Sequence, residues 1–486
     1  MRISLSCHPS LRLRVRHRQG AVLQASAAQR KSQHSHCPSF LGCAFSSMSS
    51  SDDSTPDFQF EPIEGVERFE KYRPGGYHPI QIGHTLHDRY RVVHKLGHGT
   101  FSTTWLARDG QNQLKNLVAV KVGIADSTTR EMDALSALND SQHASSDGLS
   151  KAFIPTLLDH FKVHGPNGIH PCYVTMPARA SLSWVKEASY VRVFQPDVAR
   201  ALAAQLVLAV SYMHSRGFVH GGMALTHTLA VLSTNAFHLD LHLGNVLLRL
   251  PPTIADMSDE QMYRENGEPR LEPVVRYDGE PVPIDVPSRA VIPIWLGKRS
   301  EDIALFEAKI FLTDFGETYS PLREARYTSH TPICLQPPET RFEPTKPLSF
   351  SSDIWTLACS IWEILGQKSL FDGLLATEDD ITCEQVEALG VPPAEWWGSW
   401  EARTNWFFED GTPKRDIQTL EDRFEDSLQV PRQDLKMAKF DSDERHAILT
   451  LMRSMLSFRP EDRPRAEEVV KSAWMQKWAL PEFDKT

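Results

Sequence analysis

The chain of 486 residues contains no run of 18 or more apolar residues, so its hydropathy offers no membrane-spanning helix. Its seven cysteines, Cys7, Cys37, Cys43, Cys172, Cys334, Cys359 and Cys383, form no CxxC pair. Neither a zinc site nor a disulfide framework is indicated, and a reducing compartment is the default. An excess of positive charge is also missing. The net charge of −10 argues against a protein that coats nucleic acid and suits basic protein substrates. Residues 1–51 lack Asp and Glu altogether, while Arg2, Arg12, Arg14, Arg16, Arg18, Arg30 and Lys31 stand among many Ser and Ala. That is the composition of a mitochondrial transit peptide. The alternative is an over-extended start, because Met48 opens an acidic, Ser-rich stretch of the kind that begins a disordered N-terminus.

What remains is long enough for a large core, about 400 residues being sufficient for a two-lobed domain. From Arg89, apolar and polar residues alternate through RYRVVHKLG, and FSTTWLARD and LVAVKV follow. These read as antiparallel strands. After Pro196, Val198, Leu202, Leu206, Ala209 and Met213 recur at helical spacing. A strand-rich lobe therefore precedes a helix-rich one. The stretch 251–308, rich in Pro, Glu and Arg and poor in periodicity, predicts a flexible surface spacer. Residues 366–445 are acidic, with Glu378, Asp379, Asp380, Glu409 and Asp410, but Trp396, Trp397 and Trp400 imply that part of this region packs.

Four motifs carry chemistry, and their order matters more than any one alone. In LGHGTFS, Gly97 and Gly99 let the backbone approach a phosphate between two strands, with Ser102 in place of a third small residue. In VAVKV, Lys121 sits on a strand with apolar flanks, and Glu131 on the following helix is its expected ion-pair partner. HLDLHLGN matches an HxDxxxxN loop, in which Asp240 would orient or accept a hydroxyl proton and Asn245 would bind a magnesium ion. In IFLTDFGE, Asp314 follows an apolar strand and would chelate magnesium. A phosphate cover, a cation, metal ligands and a base are what phosphoryl transfer from ATP requires. Three further positions read as scaffold: Glu339 after QPP, Asp353 in SDIWTLACSIWEIL, and Arg463 in RPEDRPRAEEVV. Glu339 with Arg463 would form a buried pair, and Asp353 would hold the catalytic-loop backbone.

Over roughly residues 70–480 the chain resembles the SR-protein (serine/arginine-rich protein) kinases, in particular their fungal branch. The resemblance is sharpest in YRPGGYHPIQIGHTLHDRYRVVHKLGHGTFSTTWLARD, where Gly75, Gly76, Tyr77, His78 and Pro79 precede the first strand. A spacer between catalytic loop and DFG is a second shared habit. The resemblance implies an α+β, two-lobed protein kinase fold: a small antiparallel β-sheet N-lobe with one main helix (89–177) and a larger, mainly α-helical C-lobe (178–480), after a disordered leader (1–69). It implies ATP and Mg2+ as cofactors, with Leu96, Gly97, His98, Gly99, Ser102, Ala119, Lys121 and Ala178 around the nucleotide and Asn245 and Asp314 at the metal. Asp240, Lys121, Glu131 and His242 would carry the chemistry. The implied substrate is Arg-Ser-rich protein linked to mRNA processing, phosphorylated by a monomer without direct contact to nucleic acid or membrane. The implied compartment is cytoplasm and nucleus, or the mitochondrion if residues 1–47 are a transit peptide.

The chain departs from the pattern in three places. His242 stands where protein kinases carry a catalytic-loop Lys. Met176 and Pro177 fall at the hinge, where Pro lacks a donor for adenine. Finally, GFVHG at 217–221 and DLHLGN at 240–245 look like two halves of one catalytic loop, split by residues 222–239. Their removal restores VHGDLHLGN, so the insert reads as a retained intron; in the chain as written, His238 and Leu239 can imitate the missing half. Two rival readings follow. One is a catalytically impaired pseudokinase acting as a binding scaffold; the other is a small-molecule phosphotransferase resembling aminoglycoside and choline kinases, which share the HGDLHxGN string. Ser320, Tyr327, Thr328, Ser329 and Thr331 are candidate phosphosites, and Glu378 to Asp380 could dock an Arg-rich peptide by charge.

Overall fold

The computed structural model describes residues 58–111, 117–140, 151–221, 243–329 and 331–486. The alternating segments become a six-stranded antiparallel sheet: β1 (Thr85–Leu86), β2 (Tyr90–His98), β3 (Ser102–Asp109), β4 (Leu117–Gly123), β5 (Leu157–Gly165) and β6 (Gly168–Thr175). Their spatial order is β1-β2-β3-β4-β6-β5. Because side chains alternate faces along a strand, Tyr90 and Val92, Trp105 and Ala107, and Val118, Val120 and Val122 fall on one buried side. The helix Arg130–Asn139 packs through Leu135 and Leu138 into the large core that continues into the second lobe.

That lobe is helical. The helix Pro196–Ser215 starts with its proline in the first turn, where no intrahelical N–H is lost. Val198, Leu202, Leu206, Ala209 and Met213 are all buried on it, as their spacing predicts. It packs against the helix Phe350–Leu365, which is buried on nearly every side and sits in the middle of the lobe. A small sheet in the order β11-β8-β7 links the lobes: β7 (Ala178–Ser181), β8 (Val246–Arg249) and β11 (Ile310–Leu312). The two-lobed, kinase-like α+β fold expected from the sequence is the one observed.

Two expectations are corrected. The stretch 251–308 is not a loose spacer. It forms the helices Pro252–Ala255 and Asp259–Asn266 and a hairpin of β9 (Leu271–Pro273) and β10 (Arg289–Val291). Met262 is fully buried among Val93, Leu106 and Leu117 of the strand lobe, and Asp259 accepts from both Arg91 and Arg108. The apolar residues that pack, such as Met262, Val274 and Val286, are scattered among exposed ones such as Val275, Tyr277 and Ile284, so no periodicity marks them. The leader also ends earlier than residue 69. Phe60, Glu67 and Phe69 are buried, and Phe60 and Phe69 join Tyr72, Tyr77, Val274, Val286 and Ala290 in one cluster. The leader up to residue 57 lies outside the described residues. In the acidic region, Trp397 and Trp400 pack with Cys383, Val386 and Phe407, as the tryptophans implied.

Candidate active site

A cavity of about 1210 Å³ separates the strand lobe from the helical lobe. Its roof is the turn between β2 and β3. Gly99 N–H donates to Ser102 O at 2.8 Å to close that turn, and a Cβ built on Gly97 would meet nothing within 4 Å. Leu96, His98, Ser102, Ala119 and Ala178 line the same cavity, as do Lys121, Glu131, Asn245 and Asp314. Every sequence-predicted site residue in the described segments therefore faces one space. Asp240 and His242 lie outside the described residues, as does His238.

Lys121 projects from β4, which is hydrogen-bonded on both sides, so its base is rigid. Its Nζ lies 2.6 and 2.7 Å from the two carboxylate oxygens of Glu131 and 3.9 Å from Asp314 Oδ1. Burial disfavours the ammonium, but Glu131, with Tyr173 and Asp314, outweighs it, and the Lys121 pKa is raised well above its usual value. The cation is therefore permanent at physiological pH. Asp314 has φ 64°, in the left-handed region that a residue with a Cβ enters at a cost of about 1–3 kcal/mol. Its neighbours hold it there. Thr313 N–H and hydroxyl both donate to Asn245 O at 2.9 Å, and Phe315 is buried beside the His220 ring, centroids 5.6 Å apart.

His220 and Gly221 take the place of the first half of the catalytic loop. Their backbone N–H groups donate to the Asp353 carboxylate at 2.7 and 3.3 Å, and the His220 Nε2 lies 3.1 Å from Thr313 O. His214 Nε2 lies 3.0 Å from the same carboxylate. Burial raises the Asp353 pKa, but the contacts from His214 and His220 win, and the net shift is downward. His220 was visible in GFVHG as half a motif, yet it did not enter the predicted site. Beyond the interruption, Leu243 is fully buried and Asn245 leads into β8. Both halves thus converge on Thr313. Three intervening residues, which is what deletion of 222–239 would leave, reach at most roughly 14 Å.

The scaffold pair is closed. Arg463 donates to both oxygens of Glu339 at 2.8 and 2.6 Å, with the Arg463 side chain fully buried. The acidic run behaves differently from the docking expectation. Asp379 is bound by Arg341 and by Trp400 Nε1, and Asp380 caps its own helix through Thr377. Two of those three carboxylates thus already have partners within the protein. Of the candidate phosphosites, Ser329 and Thr331 bond each other at 2.8 Å, whereas Tyr327 is exposed.

No family model matches the chain. A serine/threonine protein kinase of Aspergillus fumigatus is 24% identical over 422 residues, covering 84% of this chain and 90% of that protein. The serine/threonine-protein kinase SRPK of Physarum polycephalum is 26% identical over 424 residues, covering 84% of this chain and 91% of its own. SRSF protein kinase 3 of Homo sapiens is 33% identical over a shorter 156 residues, 32% of this chain and 27% of that one. With the two-lobed fold and the ordered motifs, these similarities make the chain a serine/threonine protein kinase that is similar to the SR-protein kinases.

Proposed function

We propose that this kinase phosphorylates serines in Arg-Ser-rich protein segments, using ATP with Mg2+ held by Asn245 and Asp314. The observation that carries the reading is the Lys121–Glu131 ion pair inside the cavity, with Asp314 at its flank. The names of the relatives, SRPK and SRSF protein kinase 3, support the substrate class. Asp314 and Asn245 supply the hard oxygen donors that Mg2+ accepts alongside phosphate oxygens. When bound, Mg2+ neutralises charge developing on the phosphate oxygens.

The residues of the chain would act as follows. Lys121, kept cationic and held in place by Glu131, binds the α and β phosphates. The glycine turn covers them from above. Asp240 orients the serine hydroxyl and receives its proton as the serine O–P bond forms and the bond between the γ-phosphorus and the ADP oxygen breaks. Asp353, gripping His220 and Gly221, fixes one end of the loop that carries Asp240. The Thr313–Asn245 contact fixes the other.

A second reading, an impaired kinase that serves as a scaffold, is favoured by one feature, the segment 222–239 between the two halves of the catalytic loop. Radiolabel transfer from ATP to an Arg-Ser repeat peptide separates the readings, with Lys121→Met as the control. The proposal predicts label on the peptide and none with the control. ATP binding without transfer would favour the scaffold.

A further inference from the structure

The Gly75–Gly76–Tyr77 lead-in reaches the glycine turn directly. The buried Tyr77 hydroxyl lies 2.6 Å from Gly99 O and 3.0 Å from Thr100 O, so its proton is shared between two successive carbonyls at the tip. We propose that Tyr77 is a positioning residue for the nucleotide phosphates: it grips the turn from outside and so orients the N–H groups that meet them. This rests on the kinase reading of the cavity.

Peptide geometry supplies the first step. In a trans peptide the C=O and the next N–H point in opposite directions. With the Gly99 and Thr100 carbonyls turned to Tyr77, the N–H groups of Thr100 and Phe101 are directed away from it. Gly99, Thr100 and Phe101 line the cavity, and Tyr77 does not. The turn therefore lies between the phenol and the space where phosphates bind, with donors facing that space.

The second step is that Tyr77 is itself immobile. Its N–H donates to Lys71 O at 3.1 Å, and its carbonyl accepts from the buried Asn167 side chain at 2.8 Å. Asn167 also donates to Asp285 O, so lead-in, strand lobe and spacer meet there. The two glycines before Tyr77 permit the approach. A Cβ on Gly76 would lie 1.9 Å from Lys71 O, and one on Gly75, at φ +85°, would strike the Asp126 carboxylate. Tyr72, whose ring lies 5.4 Å from that of Tyr77, donates to Glu67, which also pairs with the buried Lys95 of β2.

A glycine turn without such a grip samples many conformations, and nucleotide binding must select one of them. A fixed hydroxyl lowers that cost only for ligands whose phosphates use the turn. The test is calorimetric titration of the full-length protein with MgATP and, separately, with adenosine. Tyr77→Phe removes the hydroxyl and keeps the ring in its cluster. It is expected to weaken MgATP binding roughly three- to tenfold, the range of one lost net hydrogen bond, and to leave adenosine affinity unchanged. Tyr72→Phe, which loses a hydroxyl in the same cluster aimed at Glu67 instead, is expected to lower the melting temperature and leave the ATP-to-adenosine affinity ratio intact. Equal ATP affinity in wild type and Tyr77→Phe overturns the proposal, as does an equal loss for adenosine. Failure of the wild type to bind ATP at all sinks the kinase reading itself.

Discussion

Arg463 illustrates what one buried charge contributes to this fold. Its guanidinium makes two bonds to Glu339 and three more to the carbonyls of Ser457, Ser351 and Phe458, at 2.8, 3.0 and 3.0 Å, and it stacks 5.0 Å from the Trp355 ring. Arg463→Met keeps much of the volume and removes all five bonds. It strands a buried carboxylate, a change that costs about 3–5 kcal/mol. Since whole domains are stable by only about 5–15 kcal/mol, the substitution should consume a large share of that margin and shift the urea midpoint markedly downward. Adding Glu339→Met removes the stranded charge. The double variant should recover part of the loss but not all, because three carbonyls remain without their donor. The coupling between the two sites, measured as a double-mutant cycle, should exceed about 1 kcal/mol. A single variant within about 1 kcal/mol of wild type, or a double variant no better than the single, would show that the buried pair contributes little to stability.

Three other perturbations follow from the same geometry. Lys121→Met should cut turnover on the order of 100-fold or more while leaving the melting temperature near wild type, because the lost charge serves the phosphates; steady-state kinetics with a parallel melt checks it. Asp353 has a folded pKa below its usual 3.8, so its stabilising contribution is complete above that value and disappears as pH falls through the lowered folded value. Asp353→Asn should accordingly lower stability at pH 7 and flatten the acid limb of a stability–pH curve; an unchanged acid limb would count against the assignment. Trypsin should spare Arg264, Arg270 and Arg276 in the native protein, because the segment around them is folded onto the strand lobe, whereas Met262→Ala should cost about 2–5 kcal/mol and expose them. Rapid native cleavage there would restore the view of a loose spacer.

The sequence made the catalytic strands legible because phosphate binding imposes local patterns. Glycines flank a turn, a lysine sits on an apolar strand, and Asp314 follows β11. The helix Pro196–Ser215 was equally readable, since burial on one face writes itself into the spacing of Val198, Leu202 and Leu206. Contacts between distant segments left no such trace. Met262 stands among polar and charged residues and Val291 in a short apolar run broken by Pro293, and the tertiary surface explains their burial. Glu67 lay in what read as leader, yet it neutralises Lys95, which sequence would place as an ordinary strand lysine. The acidic Asp379 and Asp380 looked available because their partners, Arg341, Trp400 and Thr377, are not signalled by charge patterning alone. Tyr77 belonged to a visible marker, GGYHP, but its hydroxyl target emerged only from the fold.

The most direct test of the account uses the interruption between Gly221 and Asp240. Two proteins are compared for ATP-dependent labelling of an Arg-Ser repeat peptide, the chain as written and one lacking 222–239, with Asp240→Ala in the shortened form as the control. His220 and Asn245 both bond to Thr313, so the two halves of the loop are held beside one residue. The shortened form should transfer phosphate, and faster than the full chain, while Asp240→Ala should abolish the label. A shortened form that folds and binds ATP yet transfers nothing would contradict it.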